Sequence, residues 1–176
     1  MLTACRLPSG SMADKADESR FRIASVSLDE RLVLRRTPEI EQERAVAIFD
    51  LVERNRFRLL EGPAGPYALH LAVVERRLAL RVAAPDDPPP MDISVSLGGF
   101  RRVVKDYFTI CDSYYEAIKR LSPSQIEAID MGRRALHDEG ADKLQQALAA
   151  HVELDHDTAR RLFTLLCVLH FRARSE

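Results

Sequence analysis

Residues 99–121 read GFRRVVKDYFTICDSYYEAIKRL, and they hold five of the chain's eleven Phe and Tyr residues. When this run is placed on a helix at about 100° per residue, its apolar side chains fall within one half of the circumference, and the other half is polar. Such a helix either anchors a core or forms a binding surface, because aromatic side chains carry a large apolar area. Most of the cations lie opposite the aromatic side chains, which favours the core. Only Phe108 and Tyr115, at the edge of the apolar half, are placed to reach a ligand.

The same helical periodicity continues from this run to the end of the chain. It predicts three further helices, over Pro123–His137, Ala141–His151 and His156–Phe171. The first of these has a well-specified start, because Ser122 and Gln125 form a capping box around Pro123. The last is apolar nearly all round, so we expect it to be buried on several sides. Residues 98–172 are therefore predicted to form a bundle of four helices.

The residues before this helical half alternate between apolar and polar side chains, as strands do. Five runs are expected to be strands: Phe21–Leu28, Phe57–Leu59, Leu69–Val73, Leu78–Val82 and Met91–Leu97. One helix interrupts them over Pro38–Arg54, because Thr37 is a suitable cap and Pro38 suits the first helical position. A break rich in Gly and Pro at Glu61–Pro66, the pair Arg76-Arg77 and a proline loop at Pro85–Pro90 separate the last four strands, which predicts an antiparallel meander.

Together these patterns predict an α+β protein. Its first half would be an antiparallel sheet of about five strands with one N-terminal helix, and its second half a C-terminal bundle of four helices. We expect residues 20–176 to form a single domain, with the sheet half at 20–97 and the helical half at 98–172. Residues 1–19 are polar and cannot bury enough apolar surface to offset the entropy of ordering, so a disordered N-terminal tail is expected there.

Composition narrows the class of protein. The chain has 26 Lys and Arg against 27 Asp and Glu, so binding to nucleic acid by bulk positive charge is disfavoured. Its three cysteines are an odd number without the spacing of metal ligands, which is typical of a reducing cytosol. The first nineteen residues lack the apolar segment of a signal peptide, and no later run is long enough to span a membrane. We therefore expect a cytoplasmic protein without membrane contact.

Polar residues occur on the apolar side of the helix predicted over Pro123–His137. When Ile126 is taken as the centre of that side, three polar residues project within about 40° of it. They are Asp130, Arg133 and His137. Because buried charge is costly unless it is paired, these residues either form an internal ion-pair network or line a cleft.

Both interpretations give these residues definite partners. In the structural one, Asp130 pairs with Arg133 or Arg134, and His137 is stabilised at the helix C terminus. In the functional one, Arg133 or Arg134 binds an anion, because a guanidinium offers a planar pair of donors. Asp130 would then orient the arginine, and His137 would exchange a proton near neutral pH. Tyr115 is a further candidate for contact with the ligand.

A second group contains residue types that bind divalent metals: His137, Asp138, Glu139, His151, Asp155, His156 and Asp157. Its spacing matches no metal motif, and acidic residues at 155 and 157 are explained by the start of a helix. The chain also lacks a phosphate loop, a dinucleotide fingerprint and a nucleophile elbow, and Cys111 and Cys167 lie in apolar patterns. No metal, cofactor or catalytic residue is predicted.

Three helical segments carry a resemblance to a known family. They are Phe100–Ile118 (FRRVVKDYFTICDSYYEAI), Pro123–Arg134 (PSQIEAIDMGRR) and Asp157–Leu165 (DTARRLFTL). They resemble the bacterial Uncharacterised Protein Family two-six-two, and the similarity runs from about Phe21 to Phe171. The resemblance implies a small bacterial cytosolic protein without an established activity. An aromatic residue is expected in the family at the position of His156, which weakens the metal interpretation.

Three functional hypotheses follow. The leading one is a non-enzymatic binding or regulatory protein with a protein partner or a small anionic ligand, because inward polar groups occur without a recognisable nucleophile. The first alternative is an enzyme or sensor for a small anionic metabolite, using Asp130, Arg133 and His137. The second is contact with nucleic acid through arginines on the meander, which are Arg56, Arg58, Arg76, Arg77 and Arg81. The sequence does not predict the oligomeric state.

Overall fold

The computed structural model describes residues 20–29, 38–85 and 87–173, so the tail predicted at 1–19 lies outside the described residues. The protein is α+β. Its elements follow in this order: β1 (Ile23–Leu28), α1 (Pro38–Glu53), β2 (Phe57–Leu59), β3 (Tyr67–Val74), β4 (Arg77–Ala84), β5 (Asp87–Ser96), a 3₁₀ turn (Gly98–Phe100), α2 (Arg101–Arg120), α3 (Pro123–Leu148), β6 (Val152–Leu154) and α4 (His156–Ala173).

The main sheet has four strands in the order β1-β3-β4-β5. Strand β1 runs parallel to β3, whereas β3, β4 and β5 are antiparallel neighbours. The expectation of five antiparallel strands is therefore wrong in number and in direction. The chain forms α1 between β1 and β3, and a connection of that length lets the second strand enter the sheet in the same direction as the first.

Strand β2 lies outside the main sheet and pairs with β6. The two strands are antiparallel, with Arg58 opposite Glu153, and Arg58 Nη2 is 2.7 Å from Glu153 Oε2. Strand β6 was not predicted, because its three residues lie between two predicted helices, where the helical pattern on either side dominates. It lies within the predicted helical half, so the pairing joins the two halves of the chain.

Helix α3 is continuous from Pro123 to Leu148, so the C-terminal half has three α-helices instead of the predicted four. The expected break at residues 138–140 contains Gly140, a residue that often ends helices. Here Gly140 serves packing, since a Cβ at this position would overlap the ring of Phe163 on α4. The start of α3 is as predicted: Gln125 Oε1 accepts a hydrogen bond from the Ser122 N–H at 3.1 Å.

Helix α4 lies at the centre of the helical layer, packed against α1 on one side and α3 on the other, while α2 packs on α3. Its burial on several sides confirms the sequence prediction. The aromatic run is confirmed as core in the 3₁₀ turn and the first turns of α2, where Phe100, Val104 and Tyr107 are buried. Its last turns differ, since Ile118 is 50% exposed. In the described part of the chain, no helix is both long enough and apolar enough to cross a membrane.

Candidate functional site

A cleft of about 380 Å³ lies between α1 and α4. Each helix contributes residues at intervals of three or four, which places them on one face. The base is formed by α3 and by one residue of α2. The lining consists of Gln42, Glu43, Val46, Ala47 and Asp50 from α1, Tyr107 from α2, Arg133 and His137 from α3, and Asp157, Arg160, Arg161 and Thr164 from α4.

His137 is held at both ring nitrogens. Its Nδ1 lies 3.2 Å from Arg160 Nη2, and its Nε2 lies 2.9 Å from Thr164 Oγ1. A guanidinium can only donate, so Nδ1 accepts and the proton of the neutral ring is on Nε2. Thr164 Oγ1 accepts a hydrogen bond from this Nε2–H and donates its own hydrogen to the carbonyl oxygen of Arg160, 3.3 Å away. The imidazole is thus fixed as one tautomer and one orientation.

The environment keeps His137 neutral. Burial lowers the pKa of His137 to about 4, and the positive charge of Arg160 adds to the shift. The ring also stacks on Tyr107, with centroids 5.3 Å apart. The expected proton exchange near neutral pH is therefore not supported. His137 is also not at a helix C terminus, because α3 continues for three more turns to Leu148.

Asp130 forms ion pairs with both neighbouring arginines. Its Oδ1 accepts from Arg133 Nε at 3.0 Å and from Arg133 Nη2 at 2.7 Å, and its Oδ2 is 2.7 Å from Arg134 Nη2. The hydrogen bonds from Arg133 lower the pKa of Asp130. Arg133 lines the cleft, whereas Asp130 and Arg134 do not, and the Arg134 side chain is 68% exposed. The guanidinium of Arg133 also lies 5.2 Å from the ring centroid of Tyr114, which further fixes it.

Two arginines of α4 complete the basic side of the cleft. Arg160 Nε is 3.2 Å from Asp138 Oδ1, and Arg161 Nη1 donates to the carbonyl oxygen of Arg54 at 3.3 Å. Sequence reasoning missed both arginines. A signal was present, because polar residues of this largely apolar helix at 157, 160, 161 and 164 recur at helical spacing.

The acidic side of the cleft belongs to α1, through Glu43 and Asp50. Glu43 Oε1 accepts a hydrogen bond from the Tyr115 hydroxyl at 3.0 Å, so Tyr115 supports the cleft from behind Glu43 and does not line it. Burial, together with the Glu43 carboxylate, raises the pKa of Tyr115 to about 12, which keeps its hydroxyl a donor. Among the described residues, no ion pair joins Glu43 or Asp50 to the arginines of the cleft.

Among the residues considered for a metal, His156 on α4 contacts carboxylates of α3. His156 Nδ1 is 3.2 Å from Asp142 Oδ1, and His156 Nε2 is 3.4 Å from Asp138 Oδ1. Asp155 caps α4, accepting from the Thr158 N–H at 2.9 Å. Across the described ranges, no group of three or more His, Cys, Asp or Glu side chains is arranged to hold a metal ion.

The arginines considered for nucleic acid are divided between the two sheets. Arg58 on β2 and Arg56 just before β2 both contact Glu153 of β6, at 2.7 and 3.5 Å. On β4, Arg81 Nε is 2.8 Å from Asp92 Oδ1, and Arg77 Nε donates to Ser94 Oγ at 2.6 Å. These contacts favour structural roles for the arginines.

Comparisons with known proteins identify relatives over most of the chain. The model of the Uncharacterised protein family (UPF0262) matches residues 20–172. A UPF0262 protein of Rhodopseudomonas palustris (strain BisB18) is 53% identical over 156 residues, covering 89% of this chain and 96% of its own length. One from Nitrobacter winogradskyi is 51% identical over 159 residues, covering 90% and 95%. One from Methylobacterium radiotolerans is 54% identical over 151 residues, covering 86% and 94%. No solved structure matches the chain significantly.

Proposed function

Because the chain belongs to UPF0262, a bacterial family whose members' names state no activity, we propose its function from the cleft: it is a non-enzymatic protein that binds a small anionic metabolite. The ligand would lie between α1 and α4 and contact Arg133, Arg160 and Arg161. We further propose a cytoplasmic location, which the buried free thiols of Cys111 and Cys167 support.

The proposal is based on the hydrogen-bond donors of the three guanidinium groups in the cleft, those of Arg133, Arg160 and Arg161. Each is held by protein contacts, yet each keeps donors for a ligand. Arg133 uses two of its five N–H donors on Asp130, whereas Arg160 directs one donor at His137 and lies within ion-pair distance of Asp138. Within the part of the chain that the structure describes, their remaining donors have no protein partner. Fixed guanidinium groups bind carboxylate or phosphate at a lower entropic cost than mobile ones.

The geometry supports binding more than catalysis. A general acid or base needs a pKa near the working pH and a free nitrogen or oxygen. His137 meets neither condition, because its pKa is about 4 and both of its nitrogens are engaged. Burial raises the pKa of the Cys111 thiol to about 11, so Cys111 is not an activated nucleophile.

The size of the cleft limits the ligand. Its volume of about 380 Å³ is near the lower end of the roughly 300–1,000 Å³ typical of small-molecule sites. Alongside the charged groups, Val46 and Ala47 of α1 provide an apolar surface in the lining. A small metabolite with one or two anionic groups fits this combination.

Two neighbouring arginines of α3 provide the test. Arg133 and Arg134 both pair with Asp130, but only Arg133 lines the cleft. Thermal unfolding would be followed with phosphate, pyrophosphate, acetate, succinate, glutarate and citrate. We expect at least one anion to raise the melting temperature of the wild type and of Arg134→Gln, and to bind Arg133→Gln at least tenfold more weakly. A loss of equal size in both variants, or no shift with any of these anions or with L-glutamate, would contradict the proposal.

A protein partner is the second candidate, because α1 exposes apolar side chains beside the cleft. Phe49 is 66% exposed and Val46 is 46% exposed. Met131 on α3 is also 66% exposed and serves as a matched control. In-cell cross-linking would recover the same protein from the wild type and Met131→Asp, and would lose it from Phe49→Asp. Equal recovery from all three chains would remove this candidate.

A further inference from the structure

We propose that the cleft selects small zwitterions, ligands that carry an ammonium group as well as a carboxylate or phosphate. This inference rests on the proposed function and specifies its ligand. The anionic group would contact the arginines of α3 and α4, and the ammonium group would contact Glu43 and Asp50 of α1.

The charged residues that α1 contributes to the cleft are both carboxylates, whereas all three arginines lie on α3 and α4. Glu43 and Asp50 are seven residues apart on α1, two turns along one face, together with the amide of Gln42. The arginines that face them come from α3 and α4. A ligand in the cleft therefore meets an acidic wall on one side and a basic wall on the other.

The two walls do not neutralise each other. Arg133 is paired with Asp130, Arg160 with Asp138, and Arg161 donates to the backbone of Arg54. These partners hold the guanidinium groups on their own side, and in the described residues no ion pair crosses from Glu43 or Asp50 to them. Opposite charges that face each other across a space of molecular size are left for a ligand to bridge.

The acidic wall is also prepared for a cation. The Tyr115 hydroxyl donates to Glu43 Oε1 and fixes the carboxylate, while Oε2 remains an acceptor for an ammonium group. Burial and the Glu43 charge keep that hydroxyl protonated.

The total charge of the lining agrees with a zwitterion. Three arginines, at 133, 160 and 161, stand against three carboxylates, at 43, 50 and 157, and His137 is neutral. The carboxylate at 157 lies on the basic wall, in the first turn of α4, where the helix dipole stabilises it. A purely anionic ligand would be attracted by one wall and repelled by the other, whereas a zwitterion satisfies both.

The experiment uses pairs of probes that differ by one amino group. They are L-glutamate against glutarate, L-aspartate against succinate, and phosphoethanolamine against ethyl phosphate, titrated calorimetrically into the full chain at pH 7.5. In at least one pair, we expect the amino member to bind the wild type at least tenfold more tightly than its partner. Glu43→Gln and Asp50→Asn should each reduce that ratio to about twofold or less by weakening only the amino member. Glu53→Gln, which removes an exposed carboxylate of α1 outside the cleft, should keep the wild-type ratio.

The two proposals fail differently. If glutarate, succinate or ethyl phosphate binds as tightly as its amino partner and Arg133→Gln weakens both, the preference for zwitterions is wrong and the anion site stands. If no probe of any pair binds, both proposals are wrong. If the amino members bind more tightly but Glu43→Gln and Asp50→Asn keep the preference, the ammonium group does not contact the acidic wall, and the inference is also overturned.

Discussion

Helix α4 forms two different interfaces with its neighbours. Against α3, Gly140 brings the backbone close to the ring of Phe163, and Leu144 and Leu148, further along α3, are fully buried. Against α1, buried contacts at Ala47 and Leu51 give way to a charged cleft. The comparison indicates that helices pack closely where small and apolar residues meet. They stay apart where charged side chains are held by partners on their own wall.

The largest effect is expected from adding a methyl group to the closely packed interface between α3 and α4. In Gly140→Ala the new methyl group overlaps the Phe163 ring, and both residues are buried. We expect the free energy of unfolding to fall by about 3 kcal/mol, measured by urea denaturation. Gly99→Ala is the control, because a Cβ there meets nothing within 4 Å, and it should change stability by less than about 0.5 kcal/mol. Equal midpoints for the two variants would contradict the described packing.

The next effect is a pH dependence that originates at the base of the open cleft. The ordinary pKa of His is 6.5, whereas that of His137 in the folded protein is about 4. Between these values the unfolded chain binds a proton that the folded protein does not, so the free energy of unfolding falls as the pH is lowered from 6.5 to 4. We expect a loss of roughly 2–3 kcal/mol across this window. His137→Gln should reduce the slope, and parallel curves for the two proteins would contradict a buried neutral imidazole.

A smaller effect is expected at the hydrogen bond that joins α3 to α4 beside the cleft. Thr164→Val leaves the Nε2–H of His137 without its acceptor. This should lower the free energy of unfolding by about 1–2 kcal/mol. Thr164→Ser keeps the hydroxyl and should recover more than half of the loss in thermal unfolding. Equal stability of the Ser and Val variants would mean that this hydrogen bond contributes little.

The smallest effect is expected from charges outside both interfaces. Glu153 pairs with Arg56 and Arg58, and all three side chains are more than two-fifths exposed. Glu153→Gln should therefore change the free energy of unfolding by less than about 1 kcal/mol in urea denaturation. A larger loss would assign these surface pairs a structural role comparable to that of the buried contacts.

Local signals in the sequence predicted most of the helices. The bounds of α1 agree with the prediction to within one residue, because Thr37 and Pro38 mark its start. The capping box at Ser122 was also correct. The helix break predicted between His137 and Ala141 was wrong, because Gly140 packs on Phe163, a residue that sequence spacing alone does not bring to it. Strand direction was also missed, since an alternating pattern is the same in parallel and antiparallel pairs.

The candidate site was only partly predictable. The helical phase of α3 placed Arg133 and His137 on an inward side, but it could not identify α1 and α4 as their neighbours. The pKa of His137 depends on burial and on Arg160, 23 residues away, so its neutral state could not be predicted from α3 alone. That residues 20–176 form one domain stays a prediction, which the pairing of β2 with β6 supports.

The central claim is that the arginines of the cleft bind a ligand from fixed positions. The most direct test titrates the amino probe that binds most tightly, of L-glutamate, L-aspartate and phosphoethanolamine, into protein with ¹⁵N-labelled arginine and follows the side-chain Nε–H signals by NMR. We expect the signals of Arg133 and Arg160 to shift together with one dissociation constant, while that of Arg134 stays in place. Unchanged signals for Arg133 and Arg160, or an equal shift of Arg134, would contradict it.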